Sequence, residues 1–239
     1  MPSTPGSSVE SPLESRLQGL LRELGARLRR GGLPLEEAPR LATGLESLDA
    51  LLGGGFPRGR LCEIAGPASS GRTALALALL ARATRAGAEA AWVDAADAFD
   101  PPSAVAAGAA LERVLWVRAP RPAAALRSAE RLLESRGFPL VVLDLAPGAA
   151  PPPALPPVAW TRLSRAAAGA EGTLVLLADA RLAGPAAALA LELRPLRARF
   201  TGPPALLQGL DTEAALVRRR AGAPPGRAVA LRLEAPPAA

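Results

Sequence analysis

The octapeptide GPASSGRT, residues 66–73, constrains this chain more than any other stretch. Gly66 and Gly71 stand at the spacing of the phosphate-loop pattern G-x-x-x-x-G-K-[ST], and Thr73 closes it. The preceding RLCEIAG, 60–66, reads as a strand, and RTALALALLARATRAG, 72–87, reads as a helix closed by Gly87. Strand, glycine-bearing loop and helix in that order make an anion site, because loop amides and the helix N-terminus both favour phosphate. Thr73 can offer its hydroxyl to Mg²⁺. The second half of such a site is an acidic residue ending a buried strand, and LVVLD supplies Asp144. Together the two half-motifs predict a nucleotide-binding α/β fold.

Arg72 departs from the pattern. A lysine ammonium is compact and wedges between phosphate oxygens, whereas a guanidinium is wider, planar and forked. Nucleotide binding can survive the exchange. Rapid phosphoryl transfer, for which a misplacement of ~1 Å costs ~100-fold, is not expected. The exchange has to be judged against composition: the chain has 28 Lys+Arg, all of them arginine. Asn, Tyr and His are absent as well, and drift in a GC-rich genome explains this usage as well as any function does. A net charge of +6 permits contact with nucleic acid without demonstrating it. No apolar run reaches the ~18–20 residues of a membrane span. The N-terminal residues do not read as a signal peptide. The single Cys62 excludes an intramolecular disulfide, and any metal chemistry has to rest on carboxylates. A cytoplasmic protein is expected.

Short apolar strands alternate with alanine-rich helices from residue 41. Further strands are expected at 90–95, 113–118, 139–145 and 173–179, and helices at 103–109, 122–137 and 160–170. Continuous apolar strands between helices predict a mostly parallel sheet covered on both faces. Near the end, AALVRRR and RAVALRLEA flank AGAPPG and predict an antiparallel hairpin at a sheet edge. Before the core, residues 1–12 are Ser/Pro-rich and expected to be disordered. Leu13, Leu17, Leu20, Leu21, Leu24 and Leu28 then mark an amphipathic helix. It either folds onto its own domain or docks as an arm on a neighbouring subunit. The expected organisation is 1–40 as flexible N-terminus and arm, 41–234 as core and 235–239 as tail. Trp92, Trp116, Trp160 and Cys62 are expected in the core.

The run TGLESLDALLGGGFPRGRLCEIAGPASSGRT, followed by AWVDAADAFDP, resembles the RecA family from about Thr43 to Leu233. Its opening, TGLESLDALLGGGFPRG, looks closer to ImuA, the RecA-like component of the bacterial mutagenic translesion cassette. The resemblance implies a RecA-like P-loop NTPase core and sites for ATP and Mg²⁺. In it, Gly66, Ser69, Ser70, Gly71, Arg72 and Thr73 fall on the phosphate loop, and Thr73 and Asp144 on the magnesium side. Asp100 falls where that family holds adenine, and Ser103 where it stacks a tyrosine. Ala96 falls where the family has the glutamate that activates water, and a methyl group cannot polarise water. Asp179 or Ala180 falls on the glutamine that senses the γ-phosphate.

The DNA elements depart too. The first loop becomes the uncharged, proline-stiffened APGAAPPPALPPVA, and the second shrinks to RLAGPAA. Arg194, Arg197 and Arg199 remain as candidate DNA contacts. Arg218 and Arg220 fall on the basic residues that reach a neighbour's phosphates in that family; the other reading is a solvated edge that discourages aggregation. The implied function is a degenerate ATPase acting as an ImuA-type accessory of DNA-damage tolerance. It implies as partners the translesion polymerase cassette (ImuB-like) and RecA, with DNA contact and self-association left open, and a place at the nucleoid. A regulator of RecA filaments and an active ATP-dependent recombinase are the alternatives.

Overall fold

A computed structural model describes residues 39–146, 155–219 and 226–235. Expectations for the N-terminal arm, most of the proline-rich segment, Arg220 and the last four residues lie outside the described residues. Eight strands form one sheet: β3 (Arg60–Ala65), β4 (Ala90–Asp94), β5 (Val114–Arg118), β6 (Leu140–Asp144), β7 (Thr173–Ala178), β8 (Leu189–Thr201), β9 (Leu206–Arg219) and β10 (Arg227–Glu234). Their order is β10-β9-β8-β3-β7-β6-β4-β5. From β8 to β5 the pairs are parallel, and β9 and β10 add antiparallel strands. Two short strands, β1 (Arg40–Leu41) and β2 (Phe56–Pro57), pair separately. The helices are α1 (Glu46–Leu52), α2 (Arg72–Arg85), α3 (Pro101–Ala106), α4 (Pro122–Glu134) and α5 (Pro157–Ala170). The expected α/β architecture with an antiparallel edge is what forms.

The apolar strands are buried on both faces because each face carries its own core. Cys62, Ile64, Trp92 and Val142 join Leu75 and Leu79 of α2 on one side. Leu61, Val93, Val141 and Leu143 join Ala129 of α4 and Leu163 of α5 on the other. Cys62 is fully buried, and burial raises its thiol pKa, which leaves it a packing residue. Trp92 and Trp160 are core residues. Trp116, on the edge strand β5, is half-buried, with the Arg118 guanidinium 4.2 Å from its ring centre.

Two differences from the expected elements have local causes. Helix α3 starts at Pro101, not 103, because proline suits the first helical position and the Asp100 carboxylate accepts from Ser103 N at 2.9 Å. Strand β8 was not expected at all. It carries Pro195, and its ladder to β9 is irregular between Pro195 and Arg197; proline at an irregularity is the arrangement a sheet tolerates. At the far end of the β8–β9 hairpin Leu196, Phe200, Leu206 and Leu207 are exposed.

Two carboxylates shape the turns around the site. Asp49, on α1, accepts from Thr43 N at 2.8 Å, Thr43 Oγ1 at 2.9 Å and Gly44 N at 3.0 Å. This gives the run TGLESLD, 43–49, a physical meaning: the aspartate closes the turn that starts α1. Asp94, at the end of β4, accepts from Ala96 N at 3.2 Å, Ala98 N at 3.1 Å and Phe99 N at 2.9 Å. It also takes Trp116 Nε1 at 3.2 Å. One buried carboxylate thus fixes residues 95–99, including Ala96. Removing it strands several buried donors, so Asp94→Ala is expected to lower unfolding free energy by about 3 kcal/mol. Asp97→Asn, which removes only the exposed pair with Arg118, should change it by less than about 1 kcal/mol. Urea unfolding followed by tryptophan fluorescence measures both, and equal effects would contradict the role given to Asp94.

Candidate phosphate and nucleotide site

The parallel ladder brings the carboxyl ends of β3, β7, β6 and β4 together. Ala65 pairs with Ala178, and Asp144 lies between Asp94 and Leu177. The phosphate-loop residues leave β3 with Gly66 N donating to Ala178 O at 3.1 Å. Ser70 N then closes a turn onto Pro67 O at 3.1 Å. Gly71 is left-handed at φ 90°, and a Cβ there would run into Leu233 Cδ1; only glycine fits. Among the described residues the amides of Gly71, Arg72, Thr73 and Ala74 have no acceptor, as at any helix start. Ser70 Oγ is buried without a partner, whereas Ser69 and Thr73 are exposed.

Arg72 is buried and turned back into the protein. Its Nη1 donates to Gly66 O and lies 2.6 Å from Asp179 Oδ1. Asp179, one of the two residues that the resemblance puts at the sensor position, follows directly on β7, and it forms an ion pair with Arg72 from the phosphate loop. The arginine's length and fork make this reach feasible.

Asp144 is buried at the end of β6, and Ala146 N donates to its Oδ1 at 3.0 Å. Burial pushes its pKa up to about 6; the Ala146 amide opposes this, Asp94 adds to it, Arg72 opposes it and Asp179 adds to it. Two strands therefore end on carboxylates at this edge and a third is followed by one, Asp179, which meets Arg72; Arg118 ends β5 opposite Asp94. Among the described residues no group of three or more His, Cys, Asp or Glu is gathered to hold a metal. A Mg²⁺ on Thr73 and Asp144 would need phosphate and water oxygens to complete its shell.

Beside the loop lies a cleft of about 630 Å³, lined by Thr73, Leu77, Phe99, Asp100, Ser103 and Glu234 among others. Its size suits a nucleoside. The Asp100 carboxylate is fully exposed, and its hydrogen bonds from Ser103 lower its pKa. The loop and the cleft thus fit a nucleotide, and the Arg72–Asp179 pair lies at the start of the same loop.

The candidate DNA and interface cations are mostly engaged. Arg199 pairs with Asp211 at 3.0 Å and Glu234 at 2.9 Å, and Arg197 with Asp211 at 3.3 Å. Arg218 Nε donates to Ala187 O at 2.8 Å. Arg194 is exposed and has no side-chain partner among the described residues.

Three contributors escaped the sequence reading. Glu63, fully buried in β3, accepts from Leu182 N and Ala183 N and so pins the segment after Asp179. Thr212 Oγ1, on β9, lies 2.8 Å from Ser70 O and holds the loop from behind. The Arg72–Asp179 pair is the third. The available signal was repetition: AAWVD, LVVLD and TLVLLAD each finish an apolar run on aspartate.

The raised Asp144 pKa has a stability consequence. Unfolded, the carboxyl titrates at its ordinary value of 3.8; folded, at about 6. The folded state therefore holds the proton more tightly, and that contribution is present below pH 4 and lost as pH rises through 6. Asp144→Asn removes the titration. Its stability relative to the natural chain should rise by roughly 2–3 kcal/mol between pH 4 and pH 7. Chemical denaturation across that range checks this, and a flat difference would contradict it.

Residues 23–155 match the family model described as the RecA N-terminal domain, more than half of the chain. The RecA protein of Thermus thermophilus is 40% identical over 149 residues, 59% of this chain and 44% of that protein. That of Rubrobacter xylanophilus is 42% identical over 121 residues, 50% of this chain and 35% of that protein. The chain thus matches less than half the length of these relatives. The crystal structure of the RadB recombinase superposes with a TM-score of 0.63 at 24% identity, covering 80% of this chain and 95% of that one, and shares the fold. With the strand–loop–helix and the acidic strand ends in place, the chain belongs to the RecA N-terminal domain family.

Proposed function

We propose that this protein is an ImuA-type accessory of DNA-damage tolerance, a RecA-like core that acts by binding partners and does not turn over ATP. The observation that carries this is the pairing of Arg72 with Asp179 in a site where Ala96 stands at the water-activating position. Phosphoryl transfer needs a positioned base and a free cation at the terminal phosphate. Ala96 supplies no base. Asp179 is a carboxylate at this end, but Arg72 lies 2.6 Å from its Oδ1, so its charge is matched by a cation.

Nucleotide, when bound, would supply the phosphates that loop amides and a helix start attract. The amides from Gly71 to Ala74 would hold those phosphates, Thr73 and Asp144 an accompanying Mg²⁺, and the Asp100–Ser103 end of the cleft the base. DNA contact rests on exposed arginine, chiefly Arg194, since Arg197 and Arg199 are held by Asp211 and Glu234. Contact with the cassette polymerase components and with RecA is supported by the apolar hairpin end, Leu196, Phe200, Leu206 and Leu207, the kind of surface partners cover.

The purified chain is expected to hydrolyse ATP no faster than background with single-stranded DNA present, and Arg72→Lys alone should not rescue it. Hydrolysis stimulated by DNA would favour the recombinase reading, and rescue by Arg72→Lys would show that Ala96 matters less than stated. A pull-down from DNA-damaged cells, with and without residues 1–32, tests the partners. Recovery of translesion polymerase components supports the accessory role, and recovery of RecA alone points to a filament regulator.

A further inference from the structure

We infer that Asp179 is a built-in stand-in for a terminal phosphate, so that the loop takes a nucleoside diphosphate and turns away the triphosphate. This rests on the non-hydrolysing reading above and specifies the ligand class of the same site.

The pair is held firmly on both sides. Arg72 leaves the first turn of α2, is buried, and donates to Gly66 O as well as meeting Asp179. Asp179 is bounded before by the β3–β7 ladder, which ends with Gly66 N on Ala178 O. It is bounded after by Leu182 N and Ala183 N, both donating to Glu63. Glu63 is fully buried and anchored in β3, the strand that feeds the phosphate loop. The backbone on both sides of Asp179 is thus tied to β3, the strand that feeds the loop.

The one loop cation is therefore already matched to an anion made by the chain itself. Asp94 and Asp144 end β4 and β6, so with Asp179 this edge carries three carboxylates against the guanidiniums of Arg72 and Arg118, the latter opposite Asp94. A third phosphate would bring further negative charge against Asp179 and find Arg72 occupied. Two phosphates would meet no such obstacle: the amides from Gly71 to Ala74 have no acceptor among the described residues, Thr73 is exposed, and the adjoining cleft has room for a nucleoside. A like charge brought up against an added phosphate shifts affinity by about tenfold or more.

Competition by ADP and by a non-hydrolysable ATP analogue against a fluorescent ADP, with Mg²⁺ and the full chain, tests this. ADP is expected to bind about tenfold or more tightly than the analogue. Asp179→Gln should bring the two within about threefold by strengthening the analogue, because the repelling charge is gone while the loop amides are untouched. Asp179→Asn is the second variant should the first fail to fold, judged by circular dichroism. Equal affinities in the natural chain, no binding of ADP, or a ratio unchanged in the variant each overturn the assignment. ATP turnover by the natural chain would sink the non-hydrolysing reading whatever the ratio. A missing ratio without turnover sinks only the assignment of Asp179.

Discussion

The ladder between β3 and β7 is the constraint on which the site depends. It runs in register from Arg60 opposite Thr173 to Ala65 opposite Ala178, and Gly66 N continues it onto Ala178 O. That register sets the start of the phosphate loop beside Asp179. It also puts Glu63 on the same strand face as Leu61 and Ala65, from where it reaches Leu182 and Ala183. In a sheet apolar on both faces, hydrophobicity alone resists a one-residue slip weakly. The polar residues supply the penalty. A slip would turn Glu63 into the opposite core and separate Arg72 from Asp179, so one buried acid and one ion pair fix what the leucines leave underdetermined.

Much of the frame was legible in the sequence because it follows from local pattern. Apolar runs bounded by glycine and proline located the five parallel strands from β3 to β7, and alanine-rich segments located α2, α4 and α5 to within a few residues. The hairpin of β9 and β10 was legible from its turn residues. Strand β8 was not, because Pro195 and alternating arginines look like a charged loop until β9 is laid beside them. The same pairing explains why Arg197 and Arg199 resembled free DNA contacts: Arg197 lies directly opposite Asp211 in the ladder, and no spacing rule announces that. Arg72 and Asp179 are likewise far apart in the chain and meet only through sheet order. Each half of the pair looked like a separate loss; in the fold they are one replacement.

The retained glycines call for a distinction between packing and chemistry. A Cβ at Gly66 would press on Ser70 and on Leu193 O, and one at Gly71 on Leu233, residues of the loop itself, β8 and β10. Thr212 reaches Ser70 O from β9. The antiparallel extension therefore lies against the back of the loop and demands small residues there whether or not phosphate ever occupies the front. Gly66 and Gly71 are therefore held by packing whatever the loop binds: a side chain at Gly66 disturbs the loop and β8, and one at Gly71 disturbs β10. The glycine pattern in this fold reports the integrity of the sheet extension. What the site can do with a phosphate is decided by side chains free of that packing demand, Arg72 and Asp179 among them.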